Sequence, residues 1–299
     1  KMKPVSEGGS RVAVVMNGSP LFTGDANSGE SEIRRHVMEN DLLEAIVAMP
    51  EQIFYNTGIA TYIWILSNRK PSHRKGKVQL IDASGENFWK PMRKSLGDKR
   101  REMDEEHIAK VLEIYNSFEE DTDVSKVYPT TFFGYRKVTV DRPLKINIHT
   151  SEERMSRLED QKAFEKLDAN EKSEILAMLN ALPKHLYMNR ADFIEGLKAE
   201  VKARGMKIRA PLQKAIIAAL SERDKDAAVC LNAKGIAEHD GDLRDTERIP
   251  LGENIDAYME KEVWPHVPDA WVNEGATDKI TGEVGKVGYE INFNRYFYV

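Results

Sequence analysis

The stretch Leu42-Leu-Glu-Ala-Ile-Val-Ala-Met-Pro-Glu-Gln-Ile-Phe-Tyr-Asn-Thr-Gly-Ile-Ala-Thr-Tyr-Ile-Trp-Ile-Leu-Ser67 decides the fold. It reads as strand, loop, strand. Leu42 to Met49 is short and almost continuously apolar, as in a strand buried on both faces. Pro50 has no N–H to give a ladder and closes it. Ile59 to Leu66 is a second such run, rich in β-branched and aromatic residues. The loop between them carries two adjacent rings, Phe54 and Tyr55, followed by Asn56-Thr57-Gly58. Large rings at a loop tip are costly in water, so each either plugs the core beneath the loop or binds something.

Working upstream, Val12-Ala-Val-Val-Met16 reads as another buried-type strand, with a turn at Asn17-Gly18-Ser19-Pro20. A helix starts at Gly29 or Ser31 and runs to about Asn40, with Ile33, Val37 and Met38 on one face. Strand, helix, strand is an α/β signature, which points to a parallel pairing of 11–16 with 43–49. The chain opens on Lys1 and passes straight into a strand, as a piece of something longer would.

Downstream, Lys77 to Asp82 reads as a strand after the basic loop Arg69–Gly76. The net charge of −5 conceals a strong asymmetry. Residues 69–101 hold eleven Lys or Arg against Asp82, Glu86 and Asp98, while 102–125 hold nine Asp or Glu against Lys110. A basic block on a mildly acidic chain suits one polyanion-facing surface, although the two blocks can also pair with each other. Phe88-Trp89 lies inside the basic block, which continues through Arg93, Lys94, Lys99, Arg100 and Arg101. Aromatics among cations can stack on bases and neutralise phosphates, or simply pack against the next helix. That helix is 104–118, with Ile108, Val111, Leu112, Tyr115 and Phe118 at three- and four-residue spacing.

Gly134 to His149 reads as a hairpin turning at Asp141-Arg142-Pro143. Helical patterns follow at 151–167, 170–182, 190–204 and 208–222. Residues 232–299 mix acidic loops with one short helix, 253–263, ended by Pro265. The tail Gly288 to Tyr298 is dense in aromatics, so it packs back or meets a partner. The resulting partition is 1–100, 101–150, 151–231 and 232–299.

Several classes are excluded. No apolar stretch is long enough to span a bilayer, and nothing resembles a signal peptide. Cys230 is the only cysteine, so no intrachain disulfide forms and a reducing cytoplasm is the expected setting. There is no G-x-G-x-x-G and no Walker loop. The seven histidines show no metal-ligand spacing. Asp240, Asp242 and Asp245 lack the bidentate Glu of a calcium loop. No catalytic residue and no metal site is assigned, and cofactor-binding residues stay unknown.

A family resemblance carries the reading further. Arg11-Val-Ala-Val-Val-Met-Asn-Gly-Ser-Pro-Leu-Phe22, Glu32-Ile-Arg-Arg35 and Met49-Pro-Glu-Gln-Ile-Phe-Tyr-Asn-Thr-Gly-Ile59 resemble the modification subunit of type I restriction–modification systems. So do Val78 to Ala83, Phe133-Gly-Tyr-Arg136, Arg142-Pro-Leu144, Leu243-Arg-Asp-Thr-Glu247, Pro265 to Trp271 and Gly288 to Tyr298, in the expected order. That family is an S-adenosylmethionine-dependent, adenine-specific DNA methyltransferase. The resemblance implies an α/β fold: the edge portion of a Rossmann-like methyltransferase sheet, strands five to seven, followed by a mainly α-helical region. Residues 11–16 would be the fifth strand, 43–49 the sixth and 59–66 the antiparallel seventh.

The family's Asn-Pro-Pro-aromatic motif and Gly-containing cofactor loop do not occur here, since the sequence has no Pro-Pro pair. The chain is therefore expected to be a carboxy-terminal portion that alone binds no cofactor and transfers no methyl group. By resemblance, Phe54 and then Tyr55 match the aromatic set against a flipped target base. Arg69, Lys70, Arg74, Lys75, Arg93, Lys94, Arg100 and Arg101 would meet DNA phosphates. The implied partners are DNA and the specificity and restriction subunits of the same system, with no membrane. Two alternatives stand beside this reading. One is a module docking on the specificity subunit through 151–299, and the other is an independent nucleic-acid-binding protein acting through 69–101.

Overall fold

A computed structural model describes residues 2–297, so Lys1 and Tyr298 of the readings above lie outside the described residues. The chain divides into two compact units, one of 1–139, 246–262 and 273–299, the other of 140–245 and 263–272.

The first unit is built on a five-stranded sheet in the order β1-β3-β2-β4-β7. Its strands are β1 (Arg11–Asn17), β2 (Leu43–Met49), β3 (Thr61–Ser67), β4 (Lys77–Asp82) and β7 (Ser125–Pro129). The period of two sorts the side chains. Ile46, Ala48, Tyr62, Trp64, Val78 and Leu80 join one core. Val47, Met49, Ile63, Ile65 and Ile81 join the other.

The expected parallel pairing of 11–16 with 43–49 does not occur. β3 lies between them, antiparallel to both, and only β2 and β4 pair in parallel. The chain leaves β2 at Pro50 and returns directly against it, so β1 is left with the outer side of β3. β1 is therefore an edge strand rather than a buried one, with Val15 51% and Val12 40% exposed.

On one face lies α2 (Gly29–Glu39), started by the Ser28 side chain, which accepts from the Ser31 N–H. A short helix, α1 (Ser19–Phe22), precedes it. Val37 and Met38 of the expected face are buried, together with Ser31, Arg34 and Arg35, whereas Ile33 is 67% exposed. The cause is Arg34, whose guanidinium donates to the carbonyls of Pro20, Thr23 and Gly24 and of Tyr289. Arg35 Nη1 donates to both carboxylate oxygens of buried Asp278, at 3.1 and 3.0 Å. The aromatic tail packs back here, with Tyr289, Ile291 and Phe293 buried and Phe293 edge-on to Tyr62 at 5.2 Å.

On the other face lies α3 (Glu105–Ser117), capped by Asp104, which accepts from the His107 N–H at 3.1 Å. Between β4 and α3 the chain makes a hairpin of β5 (Lys90–Leu96) and β6 (Lys99–Glu102). The expected boundary at residue 100 thus falls inside β6, and β7 belongs to the same sheet as β2.

The expected hairpin over 134–149 is also replaced. β8 (Gly134–Asp141) pairs with β13 (Lys286–Tyr289) in the first unit, and its last two residues pair with β12 (Trp271–Val272) in the second. β9 (Ile146–Ile148) pairs with β10 (Ser221–Arg223). Arg142-Pro143 interrupts the ladder, and each half finds a partner far away in sequence. The second unit adds α4 (Glu152–Ser156), α5 (Lys162–Glu165), α6 (Ala169–Ala181), α7 (Arg190–Ala203) and α8 (Ala210–Leu220). The expected single helix 151–167 is broken into α4, a 3-10 turn and α5, so that Met155, Leu158 and Phe164 all reach one core. The acidic turn is structural: Asp240 accepts two hydrogen bonds from Arg223. In the first unit β11 (Asp245–Pro250) and α9 (Ile255–Tyr258) complete the chain. No helix among the described residues is long and apolar enough to cross a membrane.

Candidate nucleic-acid interface

The loop 51–58 leaves β2 at its carboxyl end. Gln52 sits in the left-handed region at φ 59°, a conformation that a non-glycine side chain holds only when its surroundings enforce it. The enforcing partner is the β5–β6 hairpin. Its Arg100 and Arg101 N–H groups both donate to the Gln52 carbonyl, at 2.9 and 3.2 Å, and Asp98 N–H donates to the Tyr55 carbonyl at 2.9 Å. The aromatic loop and the basic hairpin are thereby one element, held by backbone.

The two rings of the loop face different surroundings. Phe54 is half-buried and lines an open apolar groove of about 570 Å³ with Met49, Ile63, Ile65, Met103 and Leu112 among its walls. Tyr55 is 65% exposed, and Lys99 Nζ lies 5.5 Å from its ring centroid. Both original readings are thus divided between neighbours: Phe54 packs partly beneath the loop, and Tyr55 stands free at its tip.

The groove exists because α3 covers only part of the sheet. None of its residues is fully buried, and the expected apolar face leaves Ile108 and Leu112 half exposed. At one end of the groove Arg11 forms a two-bond pair with Glu44, which is wholly buried and also accepts the Tyr115 hydroxyl at 2.7 Å. Burial first, and then the Glu44 carboxylate, push the Tyr115 hydroxyl up to about 12.

The basic residues separate into two groups. Lys70 and Arg74 are buried and ion-paired, to Asp41 and Glu44 respectively, so neither is available to a phosphate. Arg74 also donates to Gln79 and the Tyr115 carbonyl, and its guanidinium lies 4.2 Å from the Tyr115 and Phe118 ring centroids. Burial lowers the pKa of both groups. These two are corrections to the phosphate-contact set. Arg69 donates to the Gly8 carbonyl at 2.9 Å, and Lys75 is exposed on the same loop. The acidic block pairs with the basic one at Lys77–Glu120 and Lys90–Asp104.

The hairpin group is different. Among the described residues, no ion pair involves Arg93, Lys94, Lys99, Arg100 or Arg101. The Arg101 guanidinium instead lies over the Trp89 ring, 3.9 Å from its centroid, while Phe88 is buried. Gln52 and Gly97 are contributors that the charge pattern does not single out, and Lys99, although inside the basic block, was not among the expected phosphate contacts. The signal for the hairpin was present in Leu96-Gly97-Asp98-Lys99, a two-residue turn, but the run of cations around it hides the period of two. No group of His, Cys, Asp or Glu among the described residues can hold a metal.

Residues 2–131, which include the sheet, the loop and the hairpin, match the family model for N-6 DNA Methylase. The chain resembles type I restriction enzyme methylase subunits. It is 33% identical over 136 residues to the type I restriction enzyme MjaIX methylase subunit of Methanocaldococcus jannaschii, covering 45% of this chain and 22% of that protein. It is 35% identical over 117 residues to the MjaVII methylase subunit of the same organism, covering 39% and 19%. The chain thus spans about a fifth of the length of these curated relatives. Among solved structures, a type I restriction-modification system methyltransferase subunit from Streptococcus thermophilus aligns at 28% identity and a TM-score of 0.34, covering 40% of this chain and 23% of that one.

Proposed function

We propose that the chain forms part of an S-adenosylmethionine-dependent, adenine-specific DNA methyltransferase subunit of a type I restriction–modification system. It would be the part that follows the catalytic motif. The observation that carries this reading is the strand order β1-β3-β2, an antiparallel strand set between two strands that run the same way. That order suits β1 as the family's fifth strand, β2 as its sixth and β3 as its seventh. The aromatic loop then precedes the seventh strand, where a ring can replace the stacking that a flipped adenine loses.

The residues present do not fit S-adenosylmethionine. The groove that Phe54 lines is almost wholly apolar, and the one charged residue of its lining, Arg11, is already paired with Glu44, so it offers no carboxylate to a ribose and no partner to a sulfonium cation. No methyl-transfer step is therefore derived from this chain, whose part is to receive DNA. Titration calorimetry with the chain alone is expected to show no heat at micromolar S-adenosylmethionine, and micromolar binding would overturn the placement after the cofactor-binding half.

The test of the base-stacking role is Phe54→Ala and Tyr55→Ala in the complete enzyme. Loss of one stacking ring is worth about 1–3 kcal/mol, or roughly 5- to 150-fold in methylation, with assembly and cofactor affinity unchanged. Unchanged methylation in both variants would return the pair to loop packing.

One feature of the second unit favours docking on the specificity subunit beside this role. An open cavity of about 870 Å³ is lined by four cations, Lys162, Lys166, Lys207 and Arg209, against two carboxylates, Glu171 and Glu174, with Leu167 and Ile175 among its apolar walls. Pull-down of the specificity subunit with the full chain should weaken on reversing these four charges.

A further inference from the structure

We propose that the β5–β6 hairpin is a positioning ribbon for the aromatic loop: it seats on a nucleic-acid backbone and thereby sets Tyr55, rather than Phe54, against an unstacked base. This rests on the DNA-facing part of the reading above and deepens it.

The ribbon has the right chemistry for a polyphosphate. Arg93, Lys94 and Arg100 are exposed and carry no ion pair, and Lys99 and Arg101 lie against rings rather than carboxylates. Lys90 is the exception, held by Glu102 and Asp104 at the far end from the turn. An isolated pair of strands is narrow enough for a duplex groove, and its cations release counterions when they meet phosphate. At the turn, exposed Leu96 adds an apolar edge beside Tyr55, whose carbonyl is bound by Asp98.

The ribbon also has a rigid link to the ring. Its N–H groups at Asp98, Arg100 and Arg101 hold the carbonyls of Tyr55 and Gln52, and Gln52 keeps its left-handed backbone only while so held. The approach at the turn requires glycine. Gly97 has φ 61°, and a Cβ there would stand 2.6 Å from the Tyr55 carbonyl oxygen. A side chain at 97 therefore pushes the loop off the ribbon while every cation stays in place. Displacement of one backbone contact would move a ring without changing the charge that binds DNA. Lys99 is near enough to the Tyr55 face to bridge it to a neighbouring phosphate.

The experiment uses the full chain and a fluorescent 20-base-pair DNA duplex with one mispaired 2-aminopurine. Anisotropy reads backbone affinity, and 2-aminopurine emission reads stacking of a ring on the base. The parent should bind with affinity that falls steeply with salt and should quench the emission. Arg93→Glu with Arg100→Glu should weaken binding at least tenfold at low salt, at a parental melting temperature. Tyr55→Ala should abolish the quench with affinity within threefold, whereas Phe54→Ala should keep it. Gly97→Ala should keep affinity within threefold and lose most of the quench. Absent binding by the parent, an undiminished quench in Gly97→Ala, or loss of the quench in Phe54→Ala but not Tyr55→Ala would each overturn the proposal. None of these readouts uses methyl transfer. If the ribbon behaves as described while Phe54→Ala and Tyr55→Ala both methylate normally in the complete enzyme, the methyltransferase role of the loop fails and the ribbon stands.

Discussion

Glu44 interrupts the apolar run Leu42–Met49 and yet has no exposed surface. A buried carboxylate is tolerated only when paired and hydrogen-bonded, and here Arg11, Arg74 and the Tyr115 hydroxyl supply the partners. Removing one member strands the others, so Glu44→Ala should cost about 3–5 kcal/mol in urea denaturation. A loss under about 1 kcal/mol would mean that the network contributes little. The sequence displayed the charge in the run but not its partners, 33 residues before and 71 after it. Asp278 is the parallel case in the tail. Burial alone would raise its carboxyl, but the N–H groups of Thr281 and Val287 and the Arg35 guanidinium outweigh that and hold it at about 2. The folded state therefore binds this proton less readily than the unfolded chain. Its stabilising contribution is full above about pH 4 and is lost as the pH falls towards 2, a change of about 2 kcal/mol. Asp278→Asn should flatten acid unfolding across that window, and an unaltered acid limb would show that Asp278 does not titrate there.

At the scale of elements, strands β2 and β3 were legible as short continuous apolar runs closed by Pro50 and the loop, and helices α2 and α3 by their three- and four-residue spacing. Phase was less legible. Ile33 was expected on the inner face, but Arg34 is buried instead, donating to the carbonyls of Pro20, Thr23 and Gly24, and Arg35 is buried against Asp278. The reading of 134–149 as a hairpin failed for a related reason. Alternation identifies a strand, but not which strand it pairs with, and β8 pairs with residues more than 100 positions away. The apolar spacing of α3 gave the helix but not the depth of its face, which leaves Ile108 and Leu112 half exposed. Its half-exposed Leu112 contributes little to folding, so Leu112→Gln should change stability by under about 0.5 kcal/mol. Ile46→Ala, at a position with no exposed surface, should cost about 2–5 kcal/mol in the same chemical denaturation series. Equal losses at the two sites would mean that the groove closes in solution.

Across the whole molecule, the chain returns to its first unit after building the second, and the tail's contacts with Tyr62 and Tyr128 span well over 150 residues. Such closure is invisible to a local pattern, which is why the aromatic tail could be recognised as sticky but not assigned a place. The same architecture leaves one boundary unfinished. Among the described residues β1 pairs with β3 alone, and its other side is an open edge flanked by exposed Val12 and Val15. A free edge with apolar side chains is a template for another strand, and lysine at such positions is how an edge is kept from pairing. A net charge of −5 on 299 residues opposes self-association only weakly, and salt screens it. The chain should therefore scatter increasingly with concentration in high salt, and Val12→Lys with Val15→Lys should suppress that association without lowering the melting temperature, because both valines are already wet. If the double variant associates as readily as its parent, the sticky surface is the apolar groove beside α3, and Ile108→Lys with Leu112→Lys should then suppress it instead.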